Sequence, residues 1–170
     1  MDFKENVGDL GENMRILRLL SDDEFEVEGE LKIGDVIKTS GTLAIVLSLY
    51  HEDSEIRKYL GIEVGKIEEF MPDLSAGERI AKCFTLYCKE LPKPGEEVDL
   101  ADERDLRRIH LEGNEFSIPY LIALMKKCRD RLWIVRDYLD RLMMVIPEER
   151  GVIEIIKAEV EYRMLKSMEI

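Results

Sequence analysis

The hydrophobic periodicity of the chain predicts an α+β protein: a small N-terminal β-barrel followed by a C-terminal α-helical hairpin or coiled coil. Three observations carry this. Short apolar runs punctuated by glycines fill residues 14 to about 100. No helical pattern separates most of those runs, which favours a small barrel over a βαβ sheet. Beyond residue 117 the apolar spacing changes to that of a helix. The division predicted is 1–112 for the barrel with a short terminal helix, and 113–170 for the helical part.

The elements follow in order. Met14 to Leu20 is apolar enough for a strand, although Leu10, Met14 and Leu17 also fit a helical stripe. Ser21-Asp22-Asp23 is a polar turn, and Glu24-Phe25-Glu26-Val27-Glu28 alternates strictly, as a half-buried strand does. Six carboxylates lie between Asp22 and Glu30, which reads as the wet face of an edge strand that discourages edge-to-edge pairing; a docking surface for a basic partner is the alternative. Val36 to Thr39 supplies another short strand. Thr42 to Tyr50 is apolar on both faces, the mark of a central strand. His51 to Tyr59 reads as a short helix or a long loop, and Ile62 to Ile67 alternates again. Pro72-Asp73 and Ala76-Gly77 are turn signals, Glu78 to Lys89 is a long strand, and Pro92-Lys-Pro-Gly95 stops it.

Asp102 can cap a short helix, with Asp105 as its capping-box partner and Leu106 and Ile109 on one face, and Gly113-Asn114 ends it. Ser117 and Pro119 then open a helix running to about Ile146, about 42 Å long. Its seam, Leu121, Met125, Cys128, Leu132, Val135, Leu139, Leu142 and Ile146, keeps 4-3 spacing for four heptads. Ala123, Trp133, Ile134 and Met144 lie off that seam, as expected of a helix packed on more than one side. Pro147 and Gly151 interrupt it, and a last helix over about 150–168 carries Ile153, Ile156, Val160, Met164 and Met168 on one face.

Composition bounds the function. The 170 residues are 45% apolar and 36% charged, with 37 Asp and Glu against 25 Lys and Arg, a net charge of −12. Such a field disfavours direct nucleic-acid binding. The weight of Glu, Lys and Arg is thermophile-like. The N-terminal Met-Asp-Phe-Lys-Glu-Asn has no apolar core of a signal peptide, no run is long enough for a membrane span, and three cysteines make no disulfide framework, so the expected location is the cytoplasm.

Chemical signatures are few. Phosphate-cradling, dinucleotide and nucleophile-elbow motifs are missing, and Ser75 has no partner histidine by sequence logic. Cys83 and Cys88 fall on opposite faces of a strand, which spoils joint metal ligation; with Cys128 they read as buried apolar cysteines. His51, Glu52 and Asp53 cluster after the central strand, but the only other histidine is His110, so a solvated loop outweighs a metal site. No cofactor and no catalytic activity are expected. Residues 116–146 hold six basic side chains (Lys126, Lys127, Arg129, Arg131, Arg136, Arg141) against three aspartates. Pairing with the acidic barrel, within or between subunits, is the expected use, with Asp137 and Arg141 as one (i, i+4) pair.

Phe25-Glu-Val27, Leu31-Lys-Ile-Gly-Asp-Val-Ile37, Ala44-Ile-Val-Leu-Ser48 and, above all, Leu91-Pro-Lys-Pro-Gly-Glu-Glu-Val-Asp-Leu-Ala-Asp-Glu-Arg-Asp-Leu106 carry a resemblance. Over residues 14 to about 109 the chain resembles the HAS-barrel, the N-terminal β-barrel of HerA-type DNA-translocating ATPases, related to the N-terminal barrels of ATP synthase subunits. The resemblance implies a barrel that decorates a ring and docks partner proteins, among them a nuclease. No ATP-binding residue is carried over, because the helices from Ser117 to Met168 stand where that family continues into its ATPase core. The function expected is a non-catalytic protein-interaction or assembly module, a homo-oligomer or bound to a protein partner. Its interaction residues are those of the seam: Leu121, Met125, Leu132, Val135, Leu139 and Leu142. The alternative is a small-molecule binder or enzyme using the barrel mouth, with His51, Asp53 and Cys88.

Overall fold

The computed structural model describes residues 13–51 and 79–169. The expectations for Glu52 to Ile67, including Asp53, and for Pro72 to Gly77, including Ser75, lie outside them. Six strands, β1 (Arg15–Leu19), β2 (Glu24–Glu28), β3 (Val36–Lys38), β4 (Thr42–His51), β5 (Arg79–Cys88) and β6 (Asp99–Leu100), form one curled antiparallel half-barrel sheet in the order β1-β2-β5-β4-β3-β6. Four helices follow among the described residues: α1 (Glu103–His110), α2 (Leu121–Lys127), α3 (Trp133–Val145) and the long α4 (Arg150–Met168).

Phe25 and Val27 are buried as the alternation of β2 predicts. The strand is not at an edge, however: it lies between β1 and β5. Its carboxylates are neutralised sideways rather than exposed. Glu24 pairs with Lys82 at 3.4 Å and with Lys127 at 3.2 Å, while Glu26, 5% exposed, receives Arg18 and the Tyr50 hydroxyl. β2 ends on Gly29, whose φ of +145° lies where only glycine is at ease, and a Cβ there would stand 2.6 Å from Met14 Cγ.

β4 is central, as expected, and buries both faces. Ala44 and Val46 point into a cluster with Ile16, Phe25, Val27, Ile37, Ala81, Cys83 and Val98 on the concave side. Leu43, Ile45 and Leu47 join Phe84 and Leu86 in a second cluster shared with the helices. Two register shifts in the β4–β5 ladder, at Leu43/Ala44 and Val46/Ser48, bend the sheet. Past the proline–glycine exit, the chain bonds to both edges in turn. Gly95 donates to the carbonyl of Ile16 on β1 and Val98 to that of Met14 just before it, whereas Ala101 donates to Val36 on β3.

Asp102 caps α1 in a full capping box with Asp105, and Asp105 also accepts from Lys38 Nζ at 2.8 Å, tying the helix start to the sheet. The single long helix expected from 117 to 146 is two helices, with Cys128 to Leu132 between α2 and α3. No proline or glycine stands there. What breaks the helix is the surface it covers: a straight rod of about 42 Å outruns strands of ten residues, about 33 Å. A bend lets Leu124 and Cys128 on one segment and Ile134, Val135, Tyr138, Leu139 and Leu142 on the other reach the same core. Asp137 and Arg141 do not form the expected pair; Arg136 holds Asp137 at 3.0 Å, and Arg141 Nη2 donates to the Ala101 carbonyl. A 3-10 turn at Pro147–Glu149 leads into α4, which buries Ile153 and Val160 in the same core and sets Lys157 2.6 Å from Asp140 of α3. Met168, expected on the buried face, is exposed.

Candidate interaction surface

Most of the seam expected as an interaction face packs within the chain, while Met125 and Leu132 also line a surface cleft. Val135, Leu139 and Leu142 are fully buried, Leu132 is 9% exposed, and Leu121 and Met125 pack against the edge of the same cluster. These residues reach the core because the sheet offers Leu43, Ile45, Phe84 and Leu86 opposite them. Leu124 and Ile134, both off the 4-3 seam, are fully packed as well.

The free apolar surface lies instead on the far side of α4. Val152, Ile155, Tyr162 and Leu165 are 47%, 74%, 53% and 63% exposed. Gly151, Ile155, Ala158, Tyr162 and Leu165 repeat at 4-3-4-3 spacing, a second heptad stripe opposite the inward one through Ile153 and Val160. The flanking carboxylates are tied within the helix: Arg150 to Glu154 at 2.8 Å, Arg163 to Glu159 at 2.8 Å and Lys157 to Glu161 at 3.8 Å. Residues 150–169 carry four cations and four carboxylates, so this face is neutral.

Two clefts open on the surface. One, of about 520 Å³, lies between α2 and the end of α4 and is lined by Ile122, Met125, Leu132, Lys126, Arg129, Arg163 and Ser167. The other, of about 500 Å³, lies beside the β3–β4 turn, where Thr39, Ser40 and Thr42 meet Lys89, Arg108 and Ile109. Ser40 and Thr42 spend their hydroxyls on Glu96 and on the Glu90 carbonyl, whereas Thr39 Oγ1 is buried without a partner.

Of the titratable groups singled out in the sequence, Asp53 lies outside the described residues. Among the described residues, no three His, Cys, Asp or Glu side chains stand where they could share a metal ion. His51 closes β4, and Cys88, expected to be buried, is exposed at the end of β5, where the Thr42 hydroxyl donates to its Sγ at 3.7 Å. Cys83 and Cys128 are buried; burial pushes both thiols up, that of Cys128 to about 11. His110 is fully enclosed. Its Nδ1 lies 2.6 Å from the Leu106 carbonyl, its Nε2 is bonded to the Tyr120 hydroxyl, and that hydroxyl lies 2.7 Å from Tyr138 Oη. Burial holds the imidazole below its ordinary pKa and pushes both phenols up. This is a chain of satisfied hydrogen bonds linking α1 to the start of α2 and to α3, and it opens onto neither cleft.

Among the described residues no helix is long and apolar enough to cross a membrane. No family model, no curated protein and no solved structure matches the chain.

Proposed function

We propose that this protein is a non-catalytic assembly module that pairs with a second copy of itself through α4. The observation that carries the reading is the exposed heptad stripe through Ile155, Ala158, Tyr162 and Leu165. A contiguous apolar face on a well-formed helix marks an interface, and a helix apolar on two sides has two things to pack against. A second copy is the occupant of choice on electrostatic grounds. Two chains of −12 repel each other, and the neutral face of α4 is where they can touch with the least penalty. An antiparallel pairing about a two-fold axis lays each stripe on its equivalent, completing α3 and α4 as a helical hairpin within a four-helix interface. Following the HAS-barrel resemblance, the paired module would dock onto a DNA-processing ATPase or nuclease complex.

Light scattering on eluting protein tests the pairing. The wild type should run at twice 19.8 kDa and the double variant Ile155→Glu, Leu165→Glu at 19.8 kDa. Both side chains are solvent-exposed in the single chain, so the far-UV circular dichroism should not change. A wild type that stays monomeric at about 100 μM, well above the micromolar range of modest association, refutes the reading. Capture from lysate of the source cell tests the wider assembly: a ring ATPase or a nuclease should be recovered with the tagged protein.

A second reading, small-molecule binding, rests on the unpartnered Thr39 hydroxyl in the cleft beside the β3–β4 turn. A panel of nucleotides and metal ions, with thermal shift as readout, tests it.

A further inference from the structure

The cleft between α2 and the end of α4 inverts the charge of the molecule. Its floor is Ile122, Met125 and Leu132, and its polar lining is Lys126, Arg129, Arg163 and Ser167, with no carboxylate. Three cations line this cleft in a chain of −12; Arg163 is paired with Glu159 at 2.8 Å, which leaves Lys126 and Arg129 to set its charge. Among the described residues no carboxylate lies within ion-pair distance of Lys126 or Arg129, although acidic side chains outnumber basic ones throughout. The next residue shows the contrast: Lys127 reaches Asp23 at 3.8 Å and Glu24 at 3.2 Å and is consumed by the sheet. Ile122, beside the two free cations, is 69% exposed. The cleft is open rather than enclosed, so it cannot cover most of the surface of a small ligand as binding pockets do. It is shaped to take the side chains of a longer partner.

We infer that this cleft is the docking site for an acidic amphipathic segment of a partner protein, a helix whose apolar side chains seat on Ile122, Met125 and Leu132 while its carboxylates meet Lys126, Arg129 and Arg163. This deepens the assembly reading and rests on it only in taking the chain to be an interaction module. The recognition is the helix-in-groove mode, with apolar anchors on one face of the incoming helix. The apolar floor supplies affinity and the cationic rim supplies orientation and partner choice. The −12 field works against any other anionic approach to the surface, so the cleft is where an acidic segment is admitted.

The probe is a fluorescein-labelled peptide of about four helical turns with leucines on one face and glutamates on the other, read by anisotropy. The wild type should bind it, and binding should weaken steadily between about 50 and 300 mM salt as screening shortens the reach of the cations. Lys126→Glu with Arg129→Glu should weaken it by about tenfold or more; both positions are exposed and neither holds an ion pair, so the fold is spared. Ile122→Ser should weaken it without changing the salt dependence, and a peptide with lysines in place of the glutamates should not bind. The monomeric variant Ile155→Glu, Leu165→Glu should bind as the wild type does, which separates this proposal from the pairing through α4. No binding by the wild type, or binding that the charge reversal leaves unchanged, overturns the proposal. So does oleate competing off the peptide far more tightly than the peptide binds, which would make the cleft a small-ligand site. A change of molecular mass on charge reversal also overturns it, by making the occupant a second copy.

Discussion

The hydrogen-bond chain through His110 has a direction, and the direction predicts an order of mutational costs. Nδ1 faces the Leu106 carbonyl at 2.6 Å. Two acceptors at that distance would repel, so Nδ1 carries the proton and Nε2 is a bare lone pair. The Tyr120 hydroxyl therefore donates to Nε2, and the Tyr138 hydroxyl, 2.7 Å from Tyr120 Oη, donates to Tyr120. Tyr120→Phe removes the middle of the chain and leaves both the Nε2 lone pair and the Tyr138 hydroxyl buried without their partner. A buried group stranded in this way costs about 1–3 kcal/mol. Tyr138 Oη lies 3.5 Å from Nε2, close enough for a partial repair, so the cost falls in the lower half of that range. Tyr138→Phe removes the end donor only; Tyr120 still donates to the imidazole, and the loss is that of one ordinary hydrogen bond, about 0.5–1.5 kcal/mol. Urea unfolding followed by Trp133 fluorescence and far-UV circular dichroism measures both. A Tyr138→Phe variant less stable than Tyr120→Phe would show that the chain runs the other way and that the histidine tautomer has been misassigned.

Two further outcomes follow from the same core. Burial lowers the pKa of His110 below 6.5, so the fold favours the neutral ring; its contribution is complete above pH 6.5 and is lost as the pH falls toward the folded value. A single proton limits the slope to about 1.4 kcal/mol per pH unit. The urea midpoint should fall between pH 7 and 5.5, and a stability that stays flat over that interval contradicts the burial of the ring. Cys88 is exposed while Cys83 and Cys128 are buried with raised pKa values, so the native protein should react with one equivalent of an aromatic disulfide reagent from these three thiols and with the other two only in urea. Reaction of all three at one rate would refute the burial.

What the sequence disclosed was local. The alternation of Glu24 to Glu28 gave β2 to the residue, Asp102 with Asp105 gave the start of α1, and the doubly apolar Thr42 to Tyr50 gave the central strand. What it hid was set by the third dimension. The 4-3 pattern from Leu121 to Ile146 is unbroken in the sequence, yet the helix breaks at Cys128 because a curled sheet, absent from any helical template, decides which side chains are covered. The run of carboxylates makes β2 read as an edge strand, but Arg18, Lys82 and Lys127 meet those side chains from elsewhere in the chain. Tyr120, Tyr138 and His110 are brought together only by the packing of three helices. The outward stripe of α4 is legible in the sequence: the spacing of Ile155, Ala158, Tyr162 and Leu165 is as regular as that of the inward face, and one helix carrying two such stripes is the signal to look for.

The distribution of charge then separates the molecule into two ends with different uses. Around the sheet, charges of opposite sign meet within the chain: Lys38 with Asp105, and Lys82 and Lys127 with Glu24. The strands bury most of their apolar side chains in one core or the other, with Leu19, Leu49 and Leu100 left partly in solvent. The helical end also pairs Arg136 with Asp137, Lys157 with Asp140, Arg150 with Glu154 and Arg163 with Glu159. Among the described residues, however, Lys126 and Arg129 have no carboxylate within ion-pair distance, Ile122 and Ile155 are left in solvent, and α4 is neutral where the chain as a whole is strongly negative. A chain with 37 acidic side chains against 25 basic ones has the carboxylates to satisfy two more cations. That it does not do so, beside the exposed Ile122, is the physical reason to look for a partner at this cleft.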